Sequence, residues 1–307
     1  MIESQEKSME LLAPDERPKQ RAWAKFRRSK SAWLGAVMVG VFVLLAITAN
    51  FLAPYEADDR HREAGDEQRF AIFAAPSGKH LLGTDENAKD VLTRVMYGAR
   101  LSLLAGFVSI LLAISIGAPL GAIAGYFGRW IDALIMRAID VALAFPSVMI
   151  ALLIAMAFKP GWGAVIIAVG LINVPVFARQ VRATALTVRS LDYVTASRAM
   201  GASHVHVLMR TILPSLVSPI IVLATLGLGT AILEVAGLSF LGVGGDPTEP
   251  EWGSMLAQAK DDLATSIWPA LGPGVAISLS ILGFNLLGDG LRDALDPRLG
   301  RHNANSG

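Results

Sequence analysis

The chain has 307 residues, 53% of them apolar and 17% charged, against about 45–50% and 25% in an average soluble domain. It has no cysteine, which excludes disulfides, iron–sulfur clusters and thiolate zinc sites. The formal charge is +1, and no nucleic acid is expected as a partner.

Cutting the sequence at every Asp, Glu, Lys and Arg leaves six uncharged runs of at least 18 residues, 31–55, 101–128, 141–158, 160–178, 211–233 and 263–288. A helix of that length crosses the roughly 30 Å hydrocarbon core at about 1.5 Å per residue. A soluble globule would bury one or two such runs, and the strands of a membrane β-barrel alternate in polarity over about ten residues. The expected class is therefore an all-α polytopic membrane protein with six transmembrane helices.

The elements are expected in this order. Residues 1–30 form a basic cytoplasmic segment that ends in Lys25, Arg27, Arg28 and Lys30, and 31–55 are the first span, too long for the apolar part of a secretory signal. An acidic external loop covers 56–99, and 100–290 hold a five-helix core. The second run carries Gly117, Gly121 and Gly125 at a spacing of four, which lets a neighbouring helix approach closely; packing and a moving gate both use such a stripe. Pro119, Pro146, Pro175 and Pro219 lie within or near four spans, where each removes a backbone donor and favours a kink.

Before the third run, Arg137 and Asp140 are three apart and can pair on one helix face. With Asp132 they are expected to form a structural network. Glu234, in the outer half of the fifth span, has no basic residue within one helical turn. It either faces a pathway, where it can meet a cationic group, or bonds to neighbouring helices. Asn173 and Asn285 are read as helix–helix hydrogen-bond residues. A second external loop, about 243–262, is again acidic, and residues 291–307 form the tail.

Alternation through six spans assigns 18 Lys and Arg to the side of the N-terminus and nine to the other. Since basic loops stay in the cytoplasm, both termini are expected there. No cytoplasmic segment is long enough for a catalytic domain of ordinary size, and no G-x-x-x-x-G-K-[ST] phosphate loop occurs. Nucleotide energy, if used, must be captured by another chain.

The cytoplasmic loop 179–214 has its own organisation. Asp192 is a plausible N-cap, Thr195 to Met200 a short helix of small residues, and Gly201 a left-handed C-cap. A second helix starts after Ser203 and leads to Pro214. Ala196, Ser197 and Ala199 have little bulk, so the short helix can enter a groove on another protein; the alternative is a solvated linker.

This loop resembles the EAA loop of the permease subunits of bacterial ABC importers, E-A-A-x-x-x-G followed by nine residues and I-x-L-P. Here it reads Thr195-Ala196-Ser197-x-x-x-Gly201, nine residues, then Thr211-Ile-Leu-Pro214. It departs at Thr195, Ser197 and Thr211, so a charged contact at 195 is not carried over. The resemblance is closer to the dipeptide/oligopeptide/nickel branch and covers nearly the whole chain from about Phe26. Its residues are Leu82-Gly-Thr-Asp85, Asp90-Val-Leu, Tyr97-Gly-Ala-Arg-Leu-Ser102, Gly125-Tyr-Phe-Gly128, Ile135-Met-Arg137, Tyr193-Val-Thr-Ala-Ser-Arg-Ala-Met-Gly201, Leu238-Ser-Phe-Leu-Gly242, Glu251-Trp-Gly253 and the run from Phe284 to Pro297. At 88–89 the chain has Ala-Lys where the family more usually has Gly-Arg.

The resemblance implies a type I ABC importer permease fold and the C-type permease of a dipeptide system in the bacterial inner membrane. Its implied partners are a homologous B-type permease, two cytoplasmic ATPases that hold ATP and Mg, an external solute-binding protein, membrane lipid and a peptide substrate. No cofactor and no catalytic site are expected in this chain. Tyr193, Thr195, Ala196, Ser197, Arg198, Ala199, Gly201 and Pro214 would form the ATPase-coupling segment, and Glu234 is the possible pathway residue. Nickel or another small solute is the alternative cargo. An ion-coupled secondary transporter and a membrane scaffold or receptor are the alternatives from other classes; the spans hold no cluster of acids resembling a proton relay.

Overall fold

The structure, a computed structural model, describes residues 25–27, 29–63, 66–159, 161–246 and 248–295. Most of the basic segment 1–30, and the tail with Arg298 and Arg301, lie outside the described residues.

Helix α1 (Lys30–Leu52) starts at Ser29, whose Oγ accepts from the Ala32 amide. A two-stranded antiparallel hairpin, β1 (Arg62–Glu63) and β2 (Asp66–Phe70), follows in the loop. Helix α2 (Val91–Phe127) is capped by Asp90, whose Oδ2 accepts from the Thr93 amide at 2.8 Å. Its 37 residues reach about 55 Å, well beyond the hydrocarbon core, so one or both ends stand outside it. Ala88, just before it, has φ 60, a left-handed conformation that glycine adopts without strain. That accounts for glycine being the commoner residue there.

The third expected span is not one helix. α3 (Arg129–Leu143) and α4 (Ser147–Ala157) meet at 90°. Pro146 has no N–H to continue α3 and stands instead at the start of α4, its carbonyl accepting from the Met149 and Ile150 amides. α4 has 11 residues, about 17 Å, too short to cross alone. The described chain thus has five helices long and apolar enough to span a membrane, and a sixth span if the bent pair acts as one.

α5 (Trp162–Arg189) runs through Pro175, and the short α6 (Asp192–Ala199) follows. α7 (His204–Phe240) contains a π-helical segment at Val207–Ile212. There the Leu213 amide bonds to the Leu208 carbonyl, five residues back. Pro214 therefore lies inside a continuous helix; the wider turn just before it accommodates the missing N–H. α8 (Trp252–Ala259) and a 3₁₀ turn (Lys260–Asp262) lead to α9 (Trp268–Leu295).

α2 and α5 form the most extensive helix pair. The glycine stripe lies in this seam. A Cβ on Gly117 would stand 2.7 Å from the Val174 carbonyl oxygen, one on Gly121 would collide with the Ala178 carbonyl oxygen, and one on Gly125 would be 2.7 Å from the Ala185 Cβ. The stripe is a close-packing surface. A second small-residue seam joins α1 to α9, where Gly35 faces the backbone of Gly283 and Leu287, and Gly290 faces Ala32.

Three apolar clusters fill the interior. Ile110, Val165, Val169, Phe177 and Val235 join α2, α5 and α7, with α4 at their edge. Phe42, Trp252, Ile277 and Phe284 join α1, α8 and α9. Tyr126, Val188, Val194, Val207, Ile212 and Leu216 gather α2, α5, α6 and α7 at one end.

Candidate functional site

That last cluster seats the segment singled out in the sequence. Val194 is 1% exposed and anchors α6. Around it Tyr193, Thr195, Ala196, Arg198 and Ala199 are exposed and Ser197 is half-buried, so the small residues form a low outer surface. Asp192 is the first residue of α6; the capping position is Leu191, which offers no side-chain acceptor. Asp192 thus acts through its charge at the helix N-terminus instead of as the expected N-cap.

The other end closes as a Schellman turn. Gly201 has φ +86, its amide bonds to the Arg198 carbonyl at 3.0 Å, and the Ala202 amide bonds to the Ser197 carbonyl at 3.2 Å. Ser203 caps α7, its Oγ accepting from the His206 amide. Tyr193 Oη lies 3.2 Å from Ser215 Oγ, one residue past Pro214, so α6 is fixed to α7 by both its turn and its side chains.

Sequence reading missed two features of this region. Met200, Val205 and Met209 are 82%, 69% and 57% exposed, an apolar rim beside the small helix and a surface suited to protein contact. Tyr126, at the far end of α2, is buried and bonds through its hydroxyl to His204 Nδ1 at 2.8 Å. It ties the longest helix to the base of α7. The Tyr126–Phe127 pair was visible only as part of the family motif.

The acidic groups of α3 pair differently from the sequence expectation. Asp132 bonds to Arg182 through both Nε and Nη2, and Asp140 pairs with Arg179 at 2.8 Å, both on α5. Arg137 is exposed and does not pair with Asp140. Residues three apart on α3 can meet, but α3 packs beside α5, and the α5 guanidiniums take both carboxylates.

Glu234 is half-buried on α7, and its Oε2 accepts from Asn173 Nδ2 on α5 at 2.6 Å. Asn173 also donates to the Val169 carbonyl within α5. Asn173 therefore makes the interhelical bond expected of it, and its acceptor is the carboxylate that the sequence left without a partner.

At the opposite end the motif residues build a rigid cap. Glu251 is fully buried; its carboxylate accepts from the Gly253 and Ser254 amides and from Ser102 Oγ of α2. Burial pushes its carboxyl up, against the two amides that hold it down. Trp252 Nε1 donates to the Val95 carbonyl at 3.0 Å, and Gly253 packs on the α7 backbone at Ala236. Asp85 takes a 2.6 Å bond from Arg94 Nη1, and Asp90 one of 2.9 Å with His80 Nδ1. Burial, then the neighbouring Asp262 and Asp85, raise the Glu86 carboxyl, so the first external loop lies against the second. Among the described residues no group of three or more His, Asp or Glu is placed to hold a metal ion.

The structure is thus a polytopic helical bundle that exposes a short helix of small residues beside an apolar rim. Residues 117–301 match the family of binding-protein-dependent transport system inner membrane components, and residues 17–76 match the N-terminal transmembrane domain of oligopeptide transport permease C. The chain is 42% identical over 282 residues to the dipeptide transport system permease protein DppC of Alkalihalophilus pseudofirmus, covering 92% of this chain and 90% of that one. It is 40% identical over 282 residues to the glutathione transport system permease protein GsiD of Pectobacterium atrosepticum, covering 92% of each. Among solved structures, an inward-facing MetNI methionine ABC transporter chain superposes with a TM-score of 0.56 at 20% identity, over 66% of this chain and 96% of that one. The chain belongs to the binding-protein-dependent ABC importer permeases, with their type I fold, and is a multi-pass inner-membrane protein.

Proposed function

We propose that this chain is the C-type permease of an ATP-driven importer of dipeptides or short oligopeptides, and that α6 is its coupling helix. The observation that carries the reading is the combination of similarity to dipeptide and glutathione permeases over 92% of the chain with an exposed helix of small residues closed by a glycine turn. A homologous B-type permease would complete the pathway, an external binding protein would deliver peptide, and one of two ATPases would grip Thr195 to Gly201 while the other holds the matching helix of the B-type permease. ATP binding draws the ATPases together, and α6 follows as a rigid body because its two ends are fixed to α7. The movement passes to α2 through Tyr126 and to α5 through the cluster around Val194. The chain has no catalytic chemistry in this scheme. The 18-to-9 division of basic residues supports a cytoplasmic position for both termini.

Reconstitution with the three partner subunits and the binding protein tests this directly. The expected result is ATP-dependent uptake of labelled dipeptide. Uptake driven by an ion gradient without ATP would overturn it, and transport of nickel but not peptide would reassign the cargo. Single cysteines on this cysteine-free background are expected to label from the cytoplasm at 195 and 303; labelling from outside at either would reverse the orientation.

Glu234 is the proposed pathway residue. Its carboxylate keeps one oxygen, Oε1, free of any bond to Asn173, and can meet a peptide ammonium group. Glu234→Gln retains the shape and a hydrogen-bond partner for Asn173 but removes the charge. Peptide uptake is expected to fall about tenfold or more, the scale of a lost charge-assisted hydrogen bond, with assembly and basal ATP hydrolysis unchanged. Unaltered uptake kinetics would leave Glu234 a purely interhelical residue.

A further inference from the structure

The motif Tyr97-Gly-Ala-Arg-Leu-Ser102 is only partly used by the external cap: Ser102 serves Glu251, and Arg100 does not. Arg100 is exposed on α2, nine residues inside the helix start, or about 14 Å. Its Nε donates to the Ala46 carbonyl of α1 at 3.1 Å. Among the described residues it makes no ion pair with a carboxylate, which leaves its terminal N–H donors without an acidic partner. Ala46 itself lies six residues, about 9 Å, before the end of α1.

The guanidinium borders an open groove of about 540 Å³ between α1 and α2, within the range of about 300–1,000 Å³ that holds small ligands. Val43 and Ile47 form one wall, Leu104 and Phe107 the other, and Leu228 and Phe284 the floor. Every lining residue except Arg100 is apolar. Ile47, Leu104 and Phe107 are each half or more exposed.

Arg100 directly precedes the apolar run 101–128, and an unpaired cation at the edge of the hydrocarbon draws an anion or the headgroup layer to itself. The ligand must therefore be apolar along most of its length and anionic at one end. A planar guanidinium donor fork suits a phosphate. We propose that Arg100 and the α1–α2 groove bind an anionic phospholipid, its phosphate on the Arg100 guanidinium and one acyl chain between the two helices. In the orientation proposed above this is an outer-leaflet lipid. The bound lipid closes the seam between α1 and the core helices at the level where the glycine seam with α9 has ended.

The test uses the full-length chain purified with its co-expressed partner subunits, washed free of loosely held lipid. Native mass spectrometry and thermal unfolding are followed on adding phosphatidylglycerol, phosphatidylcholine of the same chains, or inorganic phosphate. The expected result is retention of phosphatidylglycerol and a melting-temperature rise with that lipid alone. Arg100→Gln is expected to weaken phosphatidylglycerol binding about tenfold or more, Arg100→Lys to restore part of it, and Leu104→Trp to block it by filling the groove with the charge in place. Equal effects of the two lipids, an equal effect of inorganic phosphate, or wild-type lipid binding by both Arg100→Gln and Leu104→Trp would overturn the proposal. So would cross-linking that places an acidic residue of the sister permease on Arg100 in the lipid-free complex. Because all readouts are binding and melting, failure here leaves the peptide-import reading intact.

Discussion

Replacing Ala199 with Trp, or Gly201 with Val, is expected to abolish peptide uptake while the chain still inserts and pairs with its sister permease. The two substitutions act by different routes. Ala199 lies on the exposed face of α6, so an indole there adds bulk to the surface proposed to enter the ATPase groove and disturbs nothing inside this chain. At Gly201 no atom lies within 4 Å of where a Cβ would stand, so the effect is conformational. A side chain at φ +86 is disfavoured by about 1–2 kcal/mol, more when β-branched. Relief of that strain breaks the 3.0 and 3.2 Å bonds that close the turn. The helix then frays and no longer moves as a unit with α7. In proteoliposomes the ATPases are expected either to dissociate or to hydrolyse ATP without responding to loaded binding protein. Normal stimulated hydrolysis and normal uptake in both variants would reduce α6 to a linker.

Gly121→Ala is expected to cause the largest loss of folded protein of any single methyl addition on the α2 stripe. Its Cβ would collide with the Ala178 carbonyl oxygen and stand 3.0 Å from the Arg182 amide and the Val181 Cβ. Two of these three neighbours are backbone atoms of α5, which cannot rotate away, so the helices must separate along their whole seam. Overpacking of this kind reaches the upper end of about 1–3 kcal/mol or more, a sizeable part of a typical stability of about 5–15 kcal/mol. Separation would also stretch the bonds of Arg182 to Asp132 and of Asn173 to Glu234, since both depend on α5. Gly40→Ala on α1 is the contrasting case. Nothing lies within 4 Å of its Cβ position, and alanine favours the helix by about 1 kcal/mol over glycine. Detergent-solubilised Gly121→Ala is expected to melt lower and yield less than wild type, and Gly40→Ala to match or exceed it. Equal melting of the two variants would contradict the tight α2–α5 contact.

The sequence alone determined the class, the number of apolar runs and the position of the short helix of small residues that ends at Gly201. Run length against bilayer thickness is a one-dimensional constraint, and the Schellman turn at Gly201 and the cap at Ser203 are set by residues within six positions of one another. The glycine stripe likewise announced a close contact, because a 3.6-residue helix must place Gly117, Gly121 and Gly125 on one side. Which helix they touch was not legible, since the Val174 and Ala178 carbonyls are about 57 residues away along the chain. The third span read as continuous because hydropathy does not register direction. Only the fold reveals that the chain turns through 90° at Pro146, that Asp140 pairs with Arg179 instead of Arg137, and that Asp132 pairs with Arg182. Glu234 and Asn173 were each visible as polar residues in apolar spans, yet their pairing and the bond between Tyr126 and His204 link residues 61 and 78 positions apart. Local geometry is encoded in adjacent side chains. The partner of a buried polar group is decided by which helices pack, and packing sums over contacts that no single segment contains.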